Sequence, residues 1–275
     1  MGTRWTKEEE RKKRKELRFL YVSKNKTIDE IGVILKIAPQ TVFQRLKRLD
    51  IPTAPERKTN YLHKRVNMDI PERRTKELAE FFGIMLGDGH VSDFQAVVSL
   101  GTKEMMYAEY VCALMEKLFK TKAKVGIRKD GYKDVYISSV DLSKWLQKNG
   151  LVFNKVKYQV DAPGWIFQKE IYMKAFLKGF FDTDGSVYRL KYGLQISLTN
   201  KSLPLLVSLQ KMLFTLQYKP SEISSGKVYI TNRDDVYRFF TEIKPANAKH
   251  VNRFKEFSTK FNIRVGTQAV NGGRL

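Results

Sequence analysis

The chain has 275 residues, 42% hydrophobic and 12% aromatic, enough for two or three folded units and too apolar for a disordered polymer. A single cysteine, Cys112, excludes a disulfide framework and a cysteine-built zinc site, and fits a reducing compartment: cytoplasm, nucleoid or organelle. Lys+Arg outnumber Asp+Glu by 51 to 29, a net charge of +22; no apolar run approaches the length of a membrane span and no basic amphipathic helix carries Trp or Phe on its apolar face, so a nucleic acid is the expected partner and a membrane is not.

In chain order, residues 1–20 open with a helix signature, the capping box of Thr6 followed by Glu9, with Glu8–Lys12, Glu9–Lys13 and Glu10–Arg14 spaced for ion pairs. Thr27-Ile-Asp-Glu30 is a second capping box, followed by Ile28, Ile31, Ile34 and Leu35 at helical spacing. After a break at 36–39, Pro39 suits the first turn of a further helix whose Val42, Phe43, Leu46 and Leu49 share a face. Gln40, Thr41, Gln44, Arg45, Lys47 and Arg48 then face away. Two helices joined this tightly form either an ordinary helical hairpin or a helix-turn-helix. The side chains favour the second, because Gln pairs with adenine, Arg with guanine, and Lys or Arg with phosphate. Ile51-Pro-Thr-Ala-Pro55 ends the unit, residues 56–66 form a basic connection, and the boundary falls near residue 67.

The remainder repeats. Phe82-Gly-Ile-Met-Leu-Gly-Asp-Gly89 matches Lys178-Gly-Phe-Phe-Asp-Thr-Asp-Gly185, Ser99–Glu104 matches Ser197–Ser202, and Val135–Ser138 matches Val228–Thr231. Asn154-Lys155 and Ala248-Lys249 close the two halves. Each half reads helix, strand pair, helix, strand pair, helix, with Asp130-Gly131 as a hairpin turn. Gly83, Gly87, Gly179 and Thr183 give each motif helix a flat stripe for close backbone approach, and Gly89 and Gly185 suit left-handed helix caps. If the stripes pack together, Asp88 and Asp184 converge with the backbone carbonyls of Gly87 and Thr183. Hard oxygens with room for water and phosphate suit Mg²⁺, which Mn²⁺ can replace, and paired carboxylates holding a metal beside phosphodiesters point to in-line hydrolysis. The bland alternative is that each Asp-Gly is a helix stop; its symmetric repetition in a +22 chain argues for a site.

At these residues the sequence resembles the LAGLIDADG homing endonucleases in their single-chain, two-motif form, over roughly residues 75–262. The resemblance implies an α/β (α+β) fold, a pseudo-two-fold duplication of α-β-β-α-β-β-α halves with two sheets over DNA. It divides the chain into a helix-turn-helix unit with linker (1–66), a first half (67–167) and a second half (168–275). It implies a monomer that cuts both strands of a DNA target across the minor groove, leaving short 3′ overhangs, with Mg²⁺ on Asp88 and Asp184. The first motif carries Leu86 where the second carries Asp182, a position that does not hold the metal in the family. Thr102 and Asn200 occupy the place of a frequent Gln, followed by Lys103 and Lys201. Lys155 and Lys249 match a late basic position that neutralises transition-state charge; phosphate contact is the other role open to all four lysines. Alternation along the strands puts Ser92, Ser99, Arg128, Lys133, Tyr188, Arg189, Lys191 and Ser197 toward DNA. His63, His90 and His250 lack metal-ligand spacing. A non-catalytic transcription regulator and a maturase binding intron RNA are the alternatives. A protein-splicing element is not expected, since neither Met1 nor Leu275 is a splicing residue.

Overall fold

Both capping boxes form, and they start the first two helices of the N-terminal unit. At α1 (Lys7–Arg18), Thr6 Oγ accepts from Glu9 N at 3.3 Å while the Glu9 carboxylate accepts from Thr6 N at 2.8 Å. The helix continues through one wider turn, Phe19–Ser23, that keeps Tyr21 on the buried side with Leu17. Thr27 and Glu30 repeat the exchange at α2 (Ile28–Leu35), at 3.1 and 2.7 Å. Lys36 leaves α2 in the left-handed conformation (φ 49°), and Pro39 begins α3 (Pro39–Arg48). Leu17, Tyr21, Ile31, Val42, Leu46, Leu49 and Ile51 form one small core, so α1 packs with α2 and α3 rather than extending away from them. The chain, whose computed structural model describes residues 5–24, 26–51, 68–152 and 154–270 with side chains through 259, divides between residues 65 and 66 into two units. The connection 56–66 and His63 lie outside the described residues.

In the larger unit the first half runs α4 (Lys76–Leu86), β1 (Gly89–Val91), β2 (Gln95–Leu100), α5 (Met105–Phe119), β3 (Lys124–Ile127), β4 (Lys133–Ser138) and α6 (Val140–Lys148). A short 3₁₀ turn, Gly164–Gln168, leads into α7 (Glu170–Asp184), β5 (Gly185–Leu190), β6 (Gly193–Thr199), α8 (Leu203–Thr215), β7 (Lys227–Ile230), α9 (Arg233–Glu242) and α10 (Ala248–Val270). The sheets are antiparallel, ordered β1-β2-β4-β3 and β5-β6-β7. Mixed α/β architecture is therefore present, with one departure from the expected repeat. The second strand pair of the second half is a single strand, β7, with isolated bridges at Pro220 and Ser224. Pro220, which has no N–H to donate, lies in the segment where the missing partner would run.

Register explains the core. In β2 the residues Ala96, Val98 and Leu100 are buried, opposite Ile137, Val135 and Lys133 of β4. In β6, Ile196 and Leu198 point the same way, opposite Ile230 and Val228 of β7. Each sheet covers its apolar face with helices and keeps polar residues on the other. Helices α4 and α7 lie at the centre: Leu78–Leu86 is buried without interruption, as are Phe176, Leu177 and Gly179–Thr183. A helix with no polar face belongs inside a domain.

Candidate active site

The two motif helices meet where both carry glycine. A Cβ on Gly83 would stand 2.8 Å from Phe180 N, and one on Gly179 would stand 3.0 Å from Ile84 N. Any side chain there would push the backbones apart. Toward their C-termini the helices stay close: a Cβ on Gly87 would lie 2.8 Å from Thr183 Cβ and 3.6 Å from Asp184 Cγ. The close approach brings Asp88, which follows α4, beside Asp184, the last residue of α7. Gly89 and Gly185 are not left-handed caps as expected. Gly185 is extended (φ −88°, ψ 162°) and neither has positive φ; both are confined by the preceding helix turn, since a Cβ on Gly89 would stand 2.7 Å from Met85 Sδ and one on Gly185 2.7 Å from Phe181 Cγ.

Two carboxylates at two helix C-termini are electrostatically disfavoured three times over: by burial, by each other, and by the helix dipoles. Burial first, then Asp184 and Glu104, push the Asp88 carboxyl up to about 6, while Lys155 and Lys249 oppose them. Burial also raises Asp184, against Lys155, Lys249 and a 3.0 Å hydrogen bond donated by Asn200 Nδ2. Such a pair fits a cation. The donors are all hard oxygens, which suit Mg²⁺, but among the described residues no three Asp, Glu, His or Cys side chains cluster, and of the two expected backbone ligands the Gly87 carbonyl already accepts from Lys155. The Thr183 hydroxyl is committed within α7, donating to Gly179 O at 3.1 Å and Phe180 O at 2.9 Å.

The four expected lysines separate. Lys155 donates to Met85 O and Leu86 O at 3.1 Å each and to Gly87 O, capping the exposed carbonyls of α4. Burial lowers its pKa although Asp184 and Asp88 hold it charged. Lys249 instead donates to Glu104 at 3.0 Å. Lys103 and Lys201 are exposed, and the cations that draw the two carboxyls down are Lys155 and Lys249. Thr102 does not match Asn200: its carbonyl accepts from Lys133 at 2.5 Å. Asp182, fully buried, accepts from Ala246 N at 2.9 Å and Asn247 N at 3.0 Å, and burial pushes it up to about 7. Glu104, which sequence reasoning missed, is the further acid of the site. Its signal was faint: the matched segments Ser99–Glu104 and Ser197–Ser202 differ at three positions, and only at this one does an acid face a neutral residue, Ser202.

Strand parity corrects the DNA-facing set. Lys133 is buried because it shares the core face of β4 with Val135 and Ile137. Ser197 has the polar parity but no exposure, its short side chain lying in register between Ser186 and Tyr229. The Ser92 hydroxyl serves the β1–β2 turn, accepting from Gln95 N at 3.0 Å. Ser99 and Arg128 lie on the polar face and share Asp134, with Arg128 2.6 Å from its carboxylate. Tyr188, Arg189 and Lys191 are exposed along the β5–β6 hairpin. The same parity adds Gln95, Tyr136 and Lys124 on one sheet and Gln195, Tyr229 and Lys227 on the other, with no residue motif to announce them. In the N-terminal unit, Gln40, Gln44, Lys47 and Arg48 are exposed and Thr41 is half-buried. The Arg45 and Arg48 guanidinium groups lie over the Trp5 ring at 5.3 and 4.4 Å, and Arg48 is 3.8 Å from Glu10. Lys47 likewise lies over the Phe43 ring at 5.0 Å, so among the described residues Gln40 and Gln44 are the exposed members of the expected set for which no ring contact is seen.

Residues 172–244 match the family model described as LAGLIDADG-like domain. The match falls within the second of the two repeated segments. Over 129 residues it is 31% identical to the replication factor C small subunit of Methanocaldococcus jannaschii, a stretch covering 46% of this chain and 7% of that protein. Over 200 residues it is 24% identical to the replication factor C small subunit of Thermococcus kodakarensis, covering 70% and 22%. The chain therefore spans less than a quarter of either relative. Similar solved structures include I-AabMI bound to uncleaved DNA (15% identity, 69% of this chain and 92% of that one, TM-score 0.46). I-DmoI in complex with DNA and Mn gives 17%, 61%, 96% and 0.43 for the same measures. Full-length DUF199/WhiA from Thermatoga maritima gives 18%, 74%, 69% and 0.45. Among the described residues no helix is long and apolar enough to cross a membrane.

Proposed function

We propose that the chain is a site-specific, Mg²⁺-dependent DNA endonuclease, acting as a monomer on a double-stranded target and cutting both strands across one minor groove to leave short 3′ overhangs. The observation that carries this reading is the pairing of Asp88 and Asp184 at the ends of two helices in glycine contact, in a chain of net charge +22. Mg²⁺, or Mn²⁺ in its place, would supply a Lewis acid and a nucleophilic water at neutral pH. The chain's own residues do the rest. Asp88 and Asp184 would hold the cation, Asn200 orients the Asp184 carboxylate, and Lys249 would face the charge that builds on phosphate. Polar residues of the two sheets bind the backbone and base edges, and the N-terminal unit adds Gln40, Gln44 and Lys47 on its own stretch of DNA. Such a chain works inside a cell, where DNA is its substrate.

The test is selection of cleaved duplexes from a random library with Mg²⁺, followed by strand-resolved mapping. Two nicks a few base pairs apart, stopped by EDTA and restored by Mg²⁺ or Mn²⁺, are expected. Tight, sequence-specific binding without nicking under any divalent metal would instead make the chain a regulator, and selective binding of structured intron RNA would make it a maturase.

A further inference from the structure

Glu104 sits at the N-terminal edge of α5 in the first half, yet two of its three hydrogen-bond donors come from the second. Its Oε2 accepts from Gly101 N at 2.6 Å, which fixes the carboxylate against its own loop. Its Oε1 accepts from Asn247 Nδ2 at 2.7 Å and from Lys249 Nζ at 3.0 Å. Asn247 is itself held, donating from its backbone N to Asp182 Oδ1 at 3.0 Å and accepting from Lys249 N at 3.1 Å. A continuous polar chain thus runs from the end of α7 through Asn247 and Lys249 to Glu104. The matching residue of the second half is Ser202, whose hydroxyl donates to Val160 O at 2.5 Å; Lys155 rests on the α4 carbonyls instead.

The arrangement has a cost: Glu104 is only 13% exposed, and its charge adds to that of Asp88 and Asp184. A long ammonium side chain left to itself explores many rotamers, and a fixed carboxylate removes that freedom. We infer that Glu104 is a positioning residue that holds Lys249 in one place beside the paired carboxylates, so that the two strands of the target meet chemically unequal lysines. This rests on the endonuclease reading. The strand served by Lys249 is cut with help from a preoriented cation; the other strand meets Lys155, already engaged by the helix end.

The test uses the full chain with Glu104→Gln and Glu104→Ala. Limited acetylation followed by mass spectrometry reads the exposure of Lys249, with exposed Lys124 as internal control. Loss of a charge-assisted hydrogen bond should raise Lys249 reactivity about tenfold in Glu104→Ala and less in Glu104→Gln, which keeps an acceptor for Asn247. Single-turnover cleavage with each strand labelled should show one strand slowed about tenfold, the other unchanged, target affinity unchanged, and nicked duplex accumulating. Unchanged Lys249 reactivity, or equal slowing of both strands, overturns the proposal; if Glu104→Ala does not fold, Glu104→Gln decides. Should the wild-type chain cut neither strand, the endonuclease reading fails, while Lys249 reactivity still decides whether Glu104 positions it.

Discussion

Lys155 and Lys249 stand at matching places in the two halves, and their surroundings differ at every point of contact. Lys155 donates to three backbone carbonyls of α4, whereas Lys249 donates to a carboxylate from the opposite half. Leu86 of the first motif is core, while Asp182 at its counterpart ties down the start of α10 through Ala246 and Asn247. Asn200 touches Asp184, but Thr102 is engaged by Lys133. The glycines, by contrast, behave alike, since Gly83 and Gly179 each face the other helix at backbone distance. Duplication preserves what the helix crossing requires, and lets diverge the polar shell that only one partner at a time must satisfy.

The largest expected effect falls on chemistry. Asp88→Asn and Asp184→Asn should each reduce cleavage about 10³-fold or more, on the scale of removing a transition-state stabilising group, with little change in target binding. Strand-resolved single-turnover kinetics and a binding isotherm check this together; wild-type cutting by either variant would remove the site assignment.

Packing comes next. Gly83→Ala and Gly179→Ala should each destabilise the larger unit at or above the usual overpacking range of about 1–3 kcal/mol, and by similar amounts. Thermal melts that differ by more than about 1 kcal/mol between the two would break the symmetry argued for the crossing.

His250 offers a pH-dependent contrast, because the first half has no counterpart to it. Its ring is buried against Phe181 at 4.6 Å, and burial, with Lys249 beside it, lowers its pKa to about 4 against the Asp182 backbone carbonyl, which favours the protonated ring. The unfolded imidazole protonates near 6.5, so the unfolded state takes up the proton first and stability is lost as pH falls from 6.5 toward 4. At pH 4.5 this loss is about 2–3 kcal/mol relative to pH 7. Denaturant unfolding of His250→Phe at both pH values should show that much less acid sensitivity than wild type; an unchanged difference would contradict the buried neutral ring.

The lysines give the smallest effects and the sharpest comparison. Lys155→Met leaves carbonyls at the end of α4 without their donor and should cost about 1–3 kcal/mol. Lys249→Met breaks a partly exposed pair and should cost less than about 1 kcal/mol. Equal losses in chemical denaturation would mean that Lys155 does not cap the helix.

Much of this was legible in the residues themselves. The capping boxes at Thr6 and Thr27, the Pro39 helix start and the repeated glycine–aspartate motifs are local, because a cap or a turn involves atoms a few residues apart. The motif glycines also announced a close helix crossing, since nothing but backbone contact explains small residues every fourth position on an otherwise bulky helix. Strand parity was not legible at Lys133 or Ser197, because one residue of register moves a side chain to the opposite face. Nor was the capture of Arg45 and Arg48 by Trp5, more than thirty-five residues earlier in the chain. Glu104 shows the limit most clearly. As a letter it was a mismatch in a repeat, and its partners Asn247 and Lys249 lie 143 and 145 residues away, so only the packing of one half on the other could bring a carboxylate to that ammonium.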